Sequence, residues 1–598
     1  MNDLSPELPV GGDFLYAPVG TRPIFTTEKM SDEQHEIYKV ADTFIRQDVE
    51  PYHTELEHKK SGLMQSIFHK AAELGFCMVE VPEAYGGLAR DKVTSMLGSE
   101  AVARVGSFAV TLGAHTGIGT LPLVYYGTEA QKQKYLPRLA AGEIIAAYAL
   151  SEPGSGSDAL SARTVATPTP DGKSFVLRGT KQWITNAAWA DLFTIFAQVD
   201  GDKFTAFLVE RNSQGLSIGK EEHKLGIRGS STCQVILDDV IVPRENVLGD
   251  IGRGHKIAFN TLNIGRWKLG VAGIGAAKAA LRHGVAYALE RRQFDKPIAS
   301  FGLVREKLSS AVTSIYAGES MAYRLGGAID ARTALLDHAA PDYWKKAVDV
   351  IDEFTIEASV LKVFGSEACY RVVDDMLQIH GGNGYTEDYP LERMLRDSRI
   401  NLIFEGTNEI NRLIIPATLL KRGLTGKIPL MPFAEQVMSE LAGTSEIPQA
   451  GKGVLASEIL ATELCKRAIL YAASYAMQKY MIDLKEKQHI LGALANCVIA
   501  LYGMDSVLTR ASQAVSAMGE AGASVHLACS KLHCFDARAS VFQELHRIAM
   551  NMADGDELDT IYSNLDKLDR RYRVDIRTAE EHITDRLLNG GTYASLFA

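Results

Sequence analysis

The chain has 598 residues, of which 46% are apolar and 23% are charged, and it carries a net charge of −10. These proportions are typical of a soluble globular protein, and the length allows about three or four domains with sizeable cores. A mildly acidic chain lacks the basic footprint that a phosphate backbone requires, which argues against nucleic-acid binding as the main function.

Cysteine usage and hydropathy indicate a reducing compartment. The seven cysteines are scattered, odd in number and without CxxC spacing, so they predict buried thiols rather than disulfides or a zinc site. Residues 1–20 have neither a basic n-region nor an apolar h-region, and no signal peptide is expected. The apolar stretch at residues 490–504 is shorter than a membrane-spanning helix and predicts a buried core helix. We therefore expect a cytoplasmic protein without a transmembrane segment and without a bound metal.

The spacing of apolar residues changes along the chain from helical to β and back to helical. Helix-start signals stand at Asp32–Gln34 and at Thr128–Lys132. Runs rich in β-branched and aromatic residues follow, separated by Gly, Asp, Asn and Pro, at residues 175–178, 192–197, 204–209 and 233–237. They predict a mostly antiparallel β domain.

The predicted fold class is mainly α with a central β domain. Its parts are an N-terminal arm (1–30), an N-terminal helical domain (31–145), a middle β domain (146–254), a C-terminal helical bundle (255–422), a Gly/Pro-rich linker (423–453) and a C-terminal helical extension (454–598). No internal repeat is visible. Because a β domain between helical domains leaves clefts at its junctions, a cofactor pocket is expected there.

Two stretches of the β domain are suited to a planar cofactor. The turn Tyr148–Asp158 is rich in Gly and Ser, whose small side chains let the backbone approach a ligand, although a plain loop has the same composition. In Lys181–Asn186, Trp183 and Thr185 would share one face of a strand. The indole ring can stack on an isoalloxazine ring, and the hydroxyl can bond a ring heteroatom. A core Trp beside a solvated Thr is the alternative.

Two stretches of the helical bundle are suited to the polar half of such a cofactor. Tyr287–Phe294 would place adjacent arginines on a helix, where guanidinium groups can bind phosphate in a bidentate fork. A solvated helix face is the alternative. Gln378–Tyr385 contains a glycine-rich turn whose backbone amides can bind polar groups. His380, beside that turn, is interpreted as structural rather than catalytic or metal-binding.

The stretch Ile403–Ile410 contains a candidate general base. Glu405 stands between Phe404 and Gly406, just before a predicted helix start at Thr407. An apolar neighbour raises the pKa of a carboxyl group by desolvation, as a general base near neutral pH requires. A loop glutamate in an ordinary salt bridge has the same local sequence, so this stretch alone does not decide between the two.

Together these five stretches resemble the acyl-CoA dehydrogenase family in order and spacing, across residues 30–420. Two family signatures fit without a departure, namely Ala149–Asp158 and the run Gln378, Gly381, Gly382, Gly384, Tyr385, Asp388, Arg393 and Asp397. The chain length and the extension after Gly453 resemble the very-long-chain branch. The resemblance implies FAD as cofactor, acyl-CoA as substrate, electron-transfer flavoprotein as electron acceptor, and a homodimer or a tetramer.

The resemblance also implies a role for individual residues. Those lining the flavin ring would be Tyr148, Leu150, Ser151, Gly156, Ser157, Trp183, Ile184 and Thr185, with Thr407 and Glu409 closing over the same FAD. Those reaching the adenine and pyrophosphate half of FAD in the neighbouring subunit would be Arg291, Phe294, Gln378, Gly381 and Gly382. Those contacting the substrate would be Ser157, Asn263, Arg266 and Gly406, with Ala109 and Gly113 at the pocket floor.

Glu405 is the catalytic base that the resemblance implies. A few relatives carry the catalytic Glu just before the arginine equivalent to Arg266, but that position is Gly265 here. The implied reaction, in fatty acid β-oxidation, converts a saturated acyl-CoA to the trans-2-enoyl-CoA. Glu405 would remove the α-proton while the β-hydride goes to the flavin. The Glu405 backbone N–H and a ribityl hydroxyl of FAD would stabilise the developing enolate, at about 3–4 kcal/mol per donor.

The substrate pocket predicts a preference for long acyl chains. Ala109 and Gly113 are four residues apart on a predicted helix and share a face, which medium-chain relatives fill with bulky polar residues. Two rival functions stay open at this point. An acyl-CoA oxidase would share the cofactor, base and substrate. A nucleic-acid-binding protein would share only the fold, and the retained Glu405 and the acidic net charge argue against it.

The extension carries a small basic cluster, Arg570, Arg571 and Arg573. Such a cluster can meet anionic lipid, and relatives of the very-long-chain branch touch membrane through this part of the chain. The resemblance therefore allows a peripheral membrane contact. The alternative, a solvated helix face, is favoured by three neighbouring aspartates, which weaken the local positive field.

Overall fold

The computed structural model describes residues 8–597, so residues 1–7 of the predicted arm and residue 598 of the extension lie outside the described residues. The described part of the arm is bound to the helical extension. The Val19 N–H donates to Glu463 at 3.0 Å and the Ile24 N–H donates to Gln513 at 2.9 Å. The described part of the arm therefore folds against the extension.

Helices form the N-terminal part, and the two predicted helix starts are confirmed. Ser31 with Gln34, and Thr128 with Gln131, each form a reciprocal capping box. The helices are α1 (Asp32–Phe44), α2 (His53–Glu57), α3 (Leu63–Glu73), α4 (Lys92–Val102), α5 (Gly106–Gly113), α6 (Leu121–Tyr126) and α7 (Glu129–Ala140).

The middle part is a mostly antiparallel sheet, as the alternating runs predict. Its strands are β1 (Ala146–Ala149), β2 (Val165–Pro168), β3 (Ser174–Thr185), β4 (Leu192–Val199), β5 (Lys203–Glu210), β6 (Leu216–Ile218), β7 (Thr232–Pro243) and β8 (Val247–Leu248). The strand order is β6-β7-β3-β2-β4-β5-β8, and β1 pairs with β4. The parallel pairings are those of β1 and β2 with β4. A register irregularity in β3, between Lys181 and Ile184, displaces one residue from regular alternation.

The helical bundle follows, with a short hairpin inside it. Its elements are α8 (Gly254–Glu290), β9 (Arg292–Gln293), β10 (Lys296–Pro297), α9 (Gly302–Thr333), α10 (Tyr343–Glu353), α11 (Thr355–His380), α12 (Leu391–Ser398) and α13 (Asn408–Leu424). The prediction that the two arginines lie on a helix is wrong. Helix α8 ends at Glu290, because the turn residues Phe294 and Asp295, with φ of 51° and 63°, close a hairpin that begins at Arg292.

The predicted linker is not a structureless connection, because helix α14 (Leu430–Leu441) forms inside it. Its Leu430, Val437 and Leu441 are buried, so apolar periodicity outweighs the flanking Gly and Pro residues. The extension then consists of α15 (Ala456–Tyr480), α16 (Gln488–Gly522), α17 (Ser524–Met552), α18 (Gly555–Leu568) and α19 (Ile576–Gly590). The basic cluster lies between α18 and α19 on irregular chain, not on a helix face as the alternative interpretation assumed.

Two helical stretches, Gly106–Tyr126 and Gln488–Gly522, are long and apolar enough to cross a membrane by length and composition. Their most apolar windows are 67% and 83% buried within the fold, as in core helices of globular proteins. Residues 490–504 lie in the second stretch, in α16, and most of them are buried, as predicted. All seven cysteines are free and buried thiols. Within residues 8–597, no group of three or more His, Cys, Asp or Glu is placed to hold a metal ion.

Helices α8 and α11 cross in direct backbone contact, and this crossing brings key residues together. A Cβ atom on Gly270 of α8 would stand 2.6 Å from the Leu361 carbonyl, and one on Gly365 of α11 would stand 2.5 Å from the Gly270 carbonyl. Only glycine permits this approach. The crossing places Arg266 of α8 and Lys362 of α11 near the same turn of the chain, the one that contains Glu405.

Candidate active site

A cavity of about 1170 Å³, counting its open mouth, lies between the N-terminal helices, the end of β3 and the helical bundle. Thr185 and Glu405 both line it. Much of the remaining wall consists of small or apolar side chains from α5, α8 and α11, such as Ala109, Ala272 and Val373. The domain order predicts a pocket at this junction, and the cavity lies there.

Glu405 lies on the sharp turn that leads into α13. Its backbone is left-handed, with φ of 59°, and Gly406 follows at 80°. This conformation costs a non-glycine residue on the order of 1–2 kcal/mol, so the surroundings must hold it. Arg266 Nε donates to the Glu405 carbonyl at 3.1 Å, and Asn411 Nδ2 donates to the Gly406 carbonyl at 2.8 Å. These bonds fix the turn that directs the carboxylate.

The carboxylate of Glu405 points towards Gly265 of α8. The residue as a whole is half-buried, but its Oε2 atom is enclosed and has no hydrogen-bond partner among the described residues. Burial raises the pKa of Glu405 to about 7, against the lowering effect of Arg266 and Lys362. A carboxyl group in this state can accept a proton near neutral pH, as a general base requires.

Gly265 makes room for this carboxylate. A Cβ atom on Gly265 would stand 2.5 Å from Glu405 Oε2 and 2.7 Å from its Cδ. Any side chain at position 265 would therefore occupy the space of the Glu405 carboxylate. The resemblance allows a base at position 265 or at position 405. Side chains at these two positions would occupy the same space, which they enter from opposite sides.

Lys362 is a buried cation beside the Glu405 turn. Its Nζ donates to Asn408 Oδ1 at 2.6 Å, and the side chain is fully buried. Burial lowers the pKa of Lys362 to about 7, although Glu405 acts to raise it. Asn408 is the first residue of α13, so Lys362 anchors the helix start that follows Glu405.

The backbone N–H of Glu405 points to no acceptor within residues 8–597. An unpaired N–H next to a cavity can donate to a ligand oxygen. The arrangement therefore offers a proton acceptor and a hydrogen-bond donor from one residue, which is what removal of a proton next to a carbonyl group requires.

The predicted flavin-facing stretches lie side by side. The Gln182 N–H donates to the Ser151 carbonyl at 2.9 Å, which joins the segment after β1 to the irregular end of β3. The Trp183 side chain is 60% exposed, and its backbone is left-handed, with φ of 56°. Thr185 lines the cavity. The side chain of Ile184, between them, is buried in the core of the β domain, so only its backbone is open to a ligand.

These residues fit the isoalloxazine ring of FAD. An exposed indole next to a cavity-lining hydroxyl provides a stacking surface and a polar contact. At Gly156 nothing stands within 4 Å of the position that a Cβ would take, so the turn leaves open space for a ligand. Ser157 is exposed in the same turn. Tyr148 and Leu150, in contrast, are buried, and the Tyr148 ring packs on Phe196 with 5.2 Å between centroids.

The other two residues predicted to close over this FAD, Thr407 and Glu409, lie at the start of α13. The Thr407 hydroxyl accepts from the Ile410 N–H at 3.3 Å and caps the helix. Glu409 is exposed in the first turn. The helix cap therefore ties these two residues to the Glu405 turn.

The residues predicted for the adenine and pyrophosphate half of FAD form a separate, exposed group. They are Arg291, Phe294, Gln378, Gly381 and Gly382, and none of them lines the cavity. The ends of α8 and α11 bring them together, because Tyr287 stacks on His380 with 4.1 Å between ring centroids. His380 Nδ1 bonds the Met376 carbonyl at 2.7 Å, so this histidine has the partners that a structural role requires.

The predicted substrate residues divide into two sets. Ala109 and Gly113 of α5 line the cavity, and a Cβ on Gly113 would meet nothing within 4 Å. Asn263 and Arg266 are buried behind the Glu405 turn and do not line the cavity. Arg266 Nη1 donates to Asn263 Oδ1 at 2.9 Å, and the pair supports the turn. The contact shown for Arg266 is a positioning contact with the Glu405 carbonyl, and the substrate contact of these two residues stays a prediction.

The sequence interpretation missed three supporting residues. Lys362 lies among apolar residues of α11, and an isolated Lys in a buried helical run is a signal that was available. Asn411 had no such signal, because its amide acts only once the turn is formed. Lys181 is fully buried, and its Nζ donates to Glu152 at 2.7 Å and to the Leu150 carbonyl at 3.2 Å, which fixes the segment after β1.

Family models match most of the chain. The matching descriptions are acyl-CoA dehydrogenase N-terminal domain over residues 31–143, middle domain over residues 147–240, and C-terminal domain over residues 252–420. A further acyl-CoA dehydrogenase C-terminal domain matches residues 464–567, within the extension.

Individual relatives agree with the family match. A probable acyl-CoA dehydrogenase of Bacillus subtilis is 45% identical over 94% of both chains. A crystal structure of an acyl-CoA dehydrogenase complexed with FAD from Bacillus anthracis has a TM-score of 0.95 and 42% identity, and the match covers 98% of this chain and 100% of that one. The human mitochondrial very long-chain specific acyl-CoA dehydrogenase is 37% identical over 74% of this chain and 69% of its own length.

Proposed function

The chain belongs to the acyl-CoA dehydrogenase family and is an FAD-dependent acyl-CoA dehydrogenase, and on this premise we propose that Glu405 is its catalytic base and a long-chain acyl-CoA its substrate in fatty acid β-oxidation. One observation carries the proposal. The Glu405 carboxylate is enclosed at the cavity, lacks a partner at Oε2, and has its pKa raised to about 7 by burial. That is the state of a general base.

Each group of the Glu405 turn has a step in the reaction. The carboxylate takes the α-proton of the acyl group, and the Glu405 N–H donates to the thioester oxygen, on which negative charge develops. Arg266 holds the Glu405 carbonyl at 3.1 Å, so the N–H and the carboxylate keep their relative positions. Bound FAD supplies the acceptor for the two electrons and the hydrogen that leave the β-carbon.

The cofactor would be held on two sides. Trp183, Thr185 and the Leu150–Ser157 turn would hold its ring beside the cavity. The exposed group at Arg291 and Gln378–Gly382 would bind the adenine half of FAD in a second subunit. The exposure of all five residues of this group, including Phe294 at 86%, leaves them free to meet a ligand or a second subunit. We therefore expect a homodimer in solution.

The shape of the cavity supports a long acyl chain. Along α8, both Gly265 beside the base and Ala276 line the cavity, which is about 16 Å of helix at 1.5 Å per residue. On the opposite wall, the small residues Ala109 and Gly113 project little into the cavity. The acyl chain of the substrate therefore has an extended path through the cavity, which begins at Glu405.

Reduction of the enzyme flavin under anaerobic conditions tests the substrate. We expect palmitoyl-CoA to bleach the yellow protein with a higher kcat/KM than octanoyl-CoA, because the longer chain buries more apolar surface, at about 0.8 kcal/mol per CH₂. Ala109→Leu should lower the value for palmitoyl-CoA and leave that for butyryl-CoA unchanged. A preference for octanoyl-CoA in the unmodified enzyme would contradict the long-chain assignment.

The electron acceptor is proposed to be electron-transfer flavoprotein rather than oxygen, in a cytoplasmic enzyme. We expect rapid anaerobic turnover with an artificial electron acceptor and little hydrogen peroxide in air. Turnover in air that yields one peroxide per enoyl-CoA would instead identify an acyl-CoA oxidase. Peroxide yield and acceptor-linked turnover should be measured on the same enzyme preparation with the same acyl-CoA, so that the base and substrate are held constant.

A further inference from the structure

A chain of polar contacts connects the helical extension to the Glu405 turn. Its centre is Arg412 on α13. Arg412 Nη2 lies 2.8 Å from Glu367 of α11, and Arg412 Nε donates to Asn496 Oδ1 of α16 at 2.7 Å. Asn496 Nδ2 in turn donates to Glu544 of α17 at 2.9 Å. One guanidinium group is thus held from the helical bundle on one side and from the extension on the other.

The inner end of this chain reaches the first residue of α13. Asn408 Nδ2 donates to Glu367 Oε1 at 3.0 Å and to Ser366 at 3.1 Å. Asn408 Oδ1 accepts from Lys362 Nζ at 2.6 Å. Asn408 follows Glu405 by three residues, so its position determines where the turn ends. We call Asn408, Glu367, Arg412, Asn496 and Glu544 the Arg412 bridge.

We propose that Asn496, held by Glu544, is a positioning residue for the reaction: through the Arg412 bridge, the extension holds the start of α13 and with it the Glu405 carboxylate. This inference rests on the proposed function, because it takes Glu405 as the base. It gives the extension a part in catalysis although the extension contributes no residue to the cavity wall.

The charges along the bridge support this role. Glu367 accepts from both Asn408 and Arg412, so loss of the Asn496 contact would let Arg412 and Glu367 shift together. Such a shift removes one of the contacts that hold Asn408 and Lys362 in place. The charged and titratable groups that act on Glu405 are Arg266 and Lys362, and Tyr148 lies near enough for Glu405 to affect its pKa. A displaced Lys362 would lower the pKa of Glu405 less than it does now.

The test is Asn496→Ala in the FAD-loaded enzyme, with Asn564→Ala as the matched control. Asn564 is also a half-buried asparagine of the extension, but it donates to Tyr471 at 3.0 Å, away from the bridge. We expect Asn496→Ala to lower kcat with palmitoyl-CoA about tenfold, since small displacements of reacting groups have large effects on rate. FAD content and KM should stay unchanged.

The pH profile separates positioning from general loss of structure. Activity requires ionised Glu405, so kcat/KM rises with pH through the Glu405 pKa, which is about 7. Asn496→Ala should move this rise to higher pH, and Asn564→Ala should not. Should Asn496→Ala fold poorly, Asn496→Asp and the double variant Asn496→Asp/Glu544→Gln replace it. The single change sets two carboxylates against each other, and the double change restores a donor and an acceptor, so activity should fall and then recover.

The outcomes distinguish this inference from the proposed function. Equal kcat and equal pH profiles for Asn496→Ala and Asn564→Ala, or no recovery in the double variant, would overturn the role of the bridge. Activity that survives Glu405→Gln would overturn the base itself. The first result can occur while Glu405→Gln is inactive, and then only the inference on Asn496 fails.

Discussion

Glu405→Gln is expected to bind FAD normally and to lose flavin reduction by acyl-CoA by several orders of magnitude. Removal of a general base typically costs a factor of about 10²–10⁴. The amide has nearly the shape of the carboxylate, so it should fit opposite Gly265. The turn itself is held through the Glu405 carbonyl and the Gly406 carbonyl, which the substitution leaves in place. The measurement is anaerobic stopped-flow reduction with palmitoyl-CoA.

The stability of the same variant provides a control. The pKa of Glu405 is about 7 in the folded protein and 4.5 for an ordinary Glu. Because the folded state holds the proton more tightly, Glu405 reduces stability as pH rises through this window, by up to about 3 kcal/mol above pH 7. Gln lacks this effect. The variant should therefore melt at a higher temperature than the unmodified enzyme at pH 8, and the difference should vanish below pH 4.5. Near-normal turnover, or a lower melting temperature at pH 8, would contradict the assignment.

Gly265→Ala is expected to lower kcat by about 10²-fold, although Glu405 itself is not substituted. The added Cβ would stand 2.5 Å, 2.7 Å and 2.9 Å from Oε2, Cδ and Oε1 of Glu405, so the whole carboxylate must move. FAD content should be preserved, since the atoms nearest to the added Cβ are those of the Glu405 side chain, and the backbone bonds of its turn stay in place. The measurement is again anaerobic flavin reduction by palmitoyl-CoA.

Gly98→Ala is the matched control for this substitution. Gly98 is a glycine of helix α4, and a Cβ there would meet nothing within 4 Å. The Gly98→Ala variant should be active and slightly more stable than the unmodified enzyme, because Ala is a better helix former than Gly by about 1 kcal/mol. Equal activity of the two alanine variants would show that the carboxylate does not occupy the space opposite Gly265.

Local patterns in the sequence predicted the order of helical and β segments, whereas Glu405 became the candidate base through the family resemblance and not through its own stretch. Capping residues mark the start of α1 and α7, and alternating runs mark the strands. Its errors arose where tertiary contacts override local pattern. The arginines at the end of α8 leave the helix because a hairpin turn follows. Helix α14 forms between Gly and Pro residues because its apolar face is buried.

The supporting residues of the site were the hardest to predict. The bond from Arg266 to a backbone carbonyl 139 residues away in sequence was not predicted. The irregularity in β3 was also not predicted, and the Ile184 side chain beside it is buried in the core. The role of a buried polar group depends on which backbone atom it reaches, and sequence spacing does not contain that information.

The shared space of Gly265 and Glu405 restricts how this active site can change by descent. A chain with an acid at both positions would press two carboxyl groups together, and a chain with an acid at neither would have no base. Transfer of the base between the two positions by single substitutions would therefore pass through a chain with two crowded acids or with none. Lineages should keep the position that they inherited even as their preferred acyl chains diverge. Among related enzymes, the residue at position 265 is then expected to follow lineage, whereas the residues at the pocket floor, Ala109 and Gly113 here, should follow the preferred acyl chain length.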